Sequence, residues 1–171
     1  MMRRGRRRYV DAAGYVSEAL RLDVAARAVR AAGLDCAASA VGSAMSGLFV
    51  AVRSEEPDRW VFAVVEVAVA GIRAAAELPD PFRAGFPQAY LLVQRQAWEV
   101  VRSENLAHRR RWASVHEGLG VIAEEVVEFG ELAVCGDIVN ARCTAIRLVA
   151  NAIRFLAELA PTAIPHHRQP A

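Results

Sequence analysis

Positions 81 residues apart in this chain carry the same side chains repeatedly and without a gap, and that register constrains the fold more than any other feature. Glu18 falls on Glu99, Arg21 on Arg102 and Arg30 on Arg111. Later, Ile72-Arg73 falls on Ile153-Arg154, and Ala76-Glu77-Leu78 falls on Ala157-Glu158-Leu159. The register holds across helix, turn and helix, and the acidic turn residues Glu56 and Asp137 coincide. The chain therefore reads as a duplicated three-helix unit. Three short helices bury little surface alone, so the two units are expected to pack on each other, or on a second chain as a homo-oligomer.

Strand signals are nearly absent, and Ala, Leu, Arg and Glu dominate. The pattern predicts an all-α fold with helices over 12–32, 35–53, 58–78, 88–110, 115–134 and 138–160. The boundaries follow from punctuation. Ser54-Glu55-Glu56-Pro57-Asp58 is a turn in which Pro57 suits the first position of the next helix. Residues 79–87, with three prolines and a glycine, form the clearest linker. Ser114 and Glu117 make a capping box, Asp137 suits the cap of the last helix, and Pro161 ends it. The organisation expected is a basic flexible arm over 1–10, a helical unit over 11–78, the linker over 79–87, a second unit over 88–160 and a disordered tail over 161–171.

Hydrophobic residues make up 54% of the chain and charged residues 23%, which suits a packed core and argues against disorder throughout. All 21 basic residues are arginines, and the net charge is only +2, so nothing general points to nucleic acid. Cys36, Cys135 and Cys143 have no CxxC spacing and read as reduced thiols of a cytoplasmic protein. The arginines at the N-terminus are followed by an amphipathic segment rather than an apolar run, which does not fit a secretion signal. The apolar stretches 37–52 and 61–72 fall short of the roughly 20 residues a membrane span needs, so no membrane is expected. No Gly-rich phosphate loop, Ser-His-Asp pattern or HExxH motif is present.

Chemistry concentrates on the fifth helix. Its apolar stripe is Leu119, Ile122, Val126, Phe129 and Ala133. Glu125 lies on the flank of that stripe and Glu128 one turn on, with Glu124 adjoining as a further candidate metal ligand. Carboxylates spaced three apart can share a hard divalent cation such as Mg²⁺, but two are too few, and a second helix must supply more. The sixth helix carries Ile146, Val149, Ile153, Leu156 and Ala160 as its stripe. Asn140, Thr144, Arg147, Asn151, Arg154 and Glu158 lie on its other face.

The run from Ser114 to Glu128, with its His116-Glu117-Gly118 turn followed by Glu124-Glu125-x-x-Glu128, resembles the signature of the MazG-like all-α nucleotide pyrophosphohydrolases, particularly the short phage-type members. Residues 145–156 resemble that family's last helix, and the likeness covers about residues 88–160. The resemblance implies a MazG-like helical bundle and Mg²⁺-dependent cleavage of a nucleoside triphosphate to a monophosphate and pyrophosphate. It implies an ExxE pair on one helix and an ExxD pair on the next. Carried over, the first pair is Glu125 and Glu128, the candidate catalytic residues. The second pair falls on Thr144 and Arg147, neither a carboxylate. A guanidinium there can pair with both glutamates and fill the cation's place. His116, Arg109, Arg111 and Asn151 are the candidate substrate contacts. The null roles are a helix-start hydrogen bond for His116 and a solvated helix end for the arginines. In the first unit only Glu66, opposite Arg147 in the repeat, is acidic, and it either pairs with an arginine or reaches the second unit's site. A hydrolase with a degenerate metal pair, an inactive relative that binds a nucleotide or a protein, and a helical scaffold all remain open.

Overall fold

Good helix formers run through every segment between the punctuating turns, and each segment becomes a helix. A computed structural model describes residues 2–26, 33–78, 86–107 and 111–161. Among these residues there are six helices and no strand: α1 (Met2–Ala26), α2 (Leu34–Arg53), α3 (Pro57–Glu77), α4 (Phe86–Ala107), α5 (Val115–Cys135) and α6 (Ile138–Leu159). The all-α class expected from the sequence is what the chain adopts.

The middle of the molecule is the pair α3 and α6, packed along each other. α2 covers α3, α5 covers α6, and α2 and α5 also touch. α1 and α4 each lie against both α3 and α6. This two-sided covering explains why α6 is buried well beyond its predicted stripe. Thr144 and Asn151, expected on an outward polar face, are 1% and 4% exposed. The α3–α6 crossing is close at Gly71, where a Cβ would stand 2.9 Å from Cγ2 of Val149 and 3.4 Å from the Ala145 carbonyl. Trp60 and Trp112 both meet the buried Phe155 edge to face, at 5.4 and 6.2 Å between ring centres.

The sequence-based boundaries need correction mainly at α1. This helix begins at Met2, so the flexible arm expected over 1–10 is helical from its second residue. The cause lies at the far end of the chain. Arg8 Nη2 donates to the Ala160 carbonyl at 2.7 Å, and the Tyr9 hydroxyl donates to Glu158 Oε1 at 2.5 Å. These bonds tie the first turns of α1 to the last turn of α6. The corresponding tie on the other unit is the Tyr90 hydroxyl donating to Glu77 Oε1 at 2.7 Å. The linker expected over 79–87 lies outside the described residues except for Phe86 and Pro87, which begin α4; of the expected tail over 161–171, only Pro161 is described.

α2 also departs from expectation. Because it starts at Leu34, it reaches 20 residues, long and apolar enough by length and composition to cross a membrane, with one-third of its apolar window buried in the bundle.

Candidate functional site

The start and end of α5 are set by local chemistry. Ser114 Oγ accepts from the Glu117 N–H at 3.2 Å, and Glu117 Oε2 accepts from the Ala113 N–H at 2.6 Å, so the capping box closes one residue further back than its usual form. At the other end Gly136 takes a left-handed φ of 72°. Asp137 then caps α6, its Oδ1 accepting from the Asn140 N–H at 3.1 Å, a bond that holds this carboxyl below its ordinary range. The two-residue turn folds α6 back along α5 and brings the Glu125–Glu128 flank against Thr144, Arg147 and Asn151.

At that contact Arg147 sits between the two glutamates. Its Nε donates to Glu125 Oε2 at 3.0 Å and Oε1 at 3.3 Å, and its Nη2 donates to Glu128 Oε2. The same Nη2 lies 3.2 Å from Thr144 Oγ1, and Asn151 Nδ2 donates to Glu125 Oε1 at 3.4 Å. The Glu125 side chain is 15% exposed, against 39% for Arg147 and 48% for Glu128. The hydrogen bond from Glu128 raises the Arg147 guanidinium above its ordinary range; partial burial opposes this, and Glu125 adds to the rise.

Two carboxylates already satisfied by a planar cation, with a hydroxyl and an amide beside them, are a poor donor set for Mg²⁺. That ion demands near-octahedral oxygen ligands and net negative charge. Among the described residues no group of three or more His, Cys, Asp or Glu side chains is placed to hold a metal ion.

The remaining candidates do not gather at this point. Glu124 is exposed and lines a shallow dish on the outer side of α5 with Ala123, Val127, Glu128 and Glu131. His116 is exposed in the first turn of α5, nine residues before Glu125, which puts it on about the opposite side of the helix. Arg111 is exposed just before α5, and Arg109 lies outside the described residues. Asn151 does reach Glu125. Glu66 is exposed on α3, so it is neither the buried relic expected from its apolar run nor within the Arg147 cluster. Gly118, part of the His-Glu-Gly turn, has a packing reason: a Cβ there would stand 2.6 Å from Cδ2 of Phe155 and 2.9 Å from the Trp112 ring.

Sequence reasoning missed a second polar cluster. Glu158, expected to face outward, is 2% exposed and accepts from Arg154 Nε at 2.9 Å, from the Trp112 N–H at 2.8 Å and from Tyr9. Arg154 lies 4.5 Å over the Trp112 ring. In the other unit Glu77 is 1% exposed and pairs with Arg73 at 2.8 Å, while Arg73 also reaches Asp23 at 2.9 Å. Burial works against the Arg73 charge, but Glu77 and Asp23 outweigh it and raise its pKa. The signal was available, because Tyr9 and Tyr90 are 81 residues apart, as are Arg73 and Arg154 and Glu77 and Glu158.

No family model matches the chain, and no curated protein or solved structure matches it.

Proposed function

We propose that this chain is a catalytically silent relative of the MazG-like nucleotide pyrophosphohydrolases, a helical binding protein whose cation site is closed by its own arginine. The observation that carries the reading is Arg147 donating to both Glu125 and Glu128. A bound Mg²⁺ would have to displace a guanidinium held by both carboxylates, and no further carboxylate on α6 stands ready to replace the lost contacts. We read the fold as two fused copies of one three-helix unit related by a pseudo-two-fold axis. The crossed tyrosine bonds support this: Tyr9 of the first unit reaches Glu158 of the second, and Tyr90 of the second reaches Glu77 of the first. A cytoplasmic setting remains part of this proposal.

The test is pyrophosphate release from a panel of nucleoside triphosphates in Mg²⁺. The expected result is release no faster than the background without protein, for the wild type and Glu125→Gln alike. Robust Mg²⁺-dependent release by the wild type, abolished by Glu125→Gln, would establish a working hydrolase and would mean that Arg147 moves aside.

A further inference from the structure

The outer face of α2 has no partner within the chain. This helix turns Val41, Met45, Leu48 and Val52 into the core. Its outward side carries Ala40, Ser43, Gly47, Phe49 and Val50, with Phe49 45% and Val50 70% exposed. No charged residue occurs between Asp35 and Arg53, which are themselves exposed. A helix surface this long and uncharged, rimmed by charge only at its ends, has the make-up of an interface rather than of a solvated face.

The two end charges say what covers it. Asp35 and Arg53 are separated by five full turns at about 3.6 residues per turn, so they stand on one line of the helix about 27 Å apart. If a second α2 lies antiparallel about the midpoint, each Asp35 comes opposite the Arg53 of the other copy. The same register lays Phe49 of one copy over Ser39 of the other. Ala40, Ser43 and Gly47 leave room for the helices to approach. The neighbouring outer face of α5 cannot serve in this way, because Glu124, Glu128 and Glu131 would meet their own copies.

We propose that the α2 face binds a second copy of this chain through an antiparallel, two-fold α2–α2 contact closed at each end by an Asp35–Arg53 pair. Such a contact is isologous and stops at a dimer.

Sedimentation of the full-length protein tests this. The wild type should be a dimer, and Ser43→Arg should be a monomer with unchanged helical circular dichroism. Asp35→Arg alone and Arg53→Asp alone should each weaken the dimer by roughly tenfold, since each turns two attractive pairs repulsive. The double variant should restore it. That last arm separates the interface from helix-dipole effects, because reversing both ends is doubly unfavourable to the helix and yet re-forms both pairs. In a background with Cys36→Ser, Ser39→Cys and Phe49→Cys together should give an oxidised cross-linked dimer, and neither should alone. A wild type that is monomeric at every concentration would overturn the proposal, as would a dimer indifferent to Ser43→Arg or a double variant worse than both singles. Monomers that co-sediment with phosphatidylcholine vesicles would assign the face to lipid instead.

Discussion

A guanidinium and a divalent cation compete for the same carboxylates, and the outcome depends on what else stands nearby. At Arg147 the surroundings favour the guanidinium: two carboxylates, one hydroxyl and one amide leave it fully partnered on one side and partly in solvent on the other. This pairing was legible in the residues, because spacing put Glu125 and Glu128 on one flank and the short Gly136-Asp137 turn forces α6 back along α5. The turn also shows the repeat at a single residue. Gly136 has φ 72°, and its counterpart 81 positions earlier, Glu55, has φ 58°. Both residues follow a helix in the left-handed region, but only one has the side chain suited to it. Glu55→Gly should therefore stabilise the protein by about 0.5–1 kcal/mol despite the added freedom of the unfolded chain, read as a higher denaturant midpoint with unchanged slope. A lower midpoint would show that Glu55 makes a contact worth more than its backbone strain.

The least legible element was α1. Its arginine-rich start has no apolar periodicity of its own, so local reading assigns it to a flexible arm. Its order comes from groups about 150 positions away, the Ala160 carbonyl and the Glu158 carboxylate. Contacts of that range leave no mark on a short window of sequence. The whole burial of α6 was missed for a related reason: a stripe predicts one covered side, and α6 is covered on several. The Tyr9 bond gives this tie a measurable signature. Burial, and then the hydrogen bond to Glu158, raise the Tyr9 pKa well above its ordinary value of 10.0. The folded state thus holds the phenolic proton more tightly than the unfolded chain. The stability this contributes is complete below about pH 10 and is lost as pH rises above it, while the unfolded chain ionises first. Tyr9→Phe should cost about 1–2 kcal/mol at neutral pH, for a hydrogen bond to a charged, buried acceptor. It should also flatten the fall in stability above about pH 10. Equilibrium unfolding of both proteins across that range is the check; parallel alkaline slopes would mean Tyr9 ionises alike in both states.

For the whole molecule, the repeat accounts for the plan. α3 and α6 occupy equivalent places in the register and form the middle, α2 and α5 cover them, and α1 and α4 each bridge both. The all-helical class and the positions of five of the six helices were readable to within a few residues, since Pro57, Ser114, Asp137 and Pro161 mark boundaries by their own chemistry. The crossing of the tyrosines from one unit to the other was not readable, because a repeat in sequence says that two units match and not how they interlock. On this account the doubled bundle keeps a family-like carboxylate pair and has replaced the cation with an internal arginine. Calorimetric titration of Mg²⁺ into the wild type and into Thr144→Glu/Arg147→Asp tests that claim most directly. The variant adds two carboxylates and removes a guanidinium beside Glu125 and Glu128, the change that electrostatics and the cation's oxygen preference both require. The account predicts no saturable Mg²⁺ heat for the wild type and one saturable site for the variant. Saturable Mg²⁺ binding by the wild type that is lost in Glu125→Gln would contradict it.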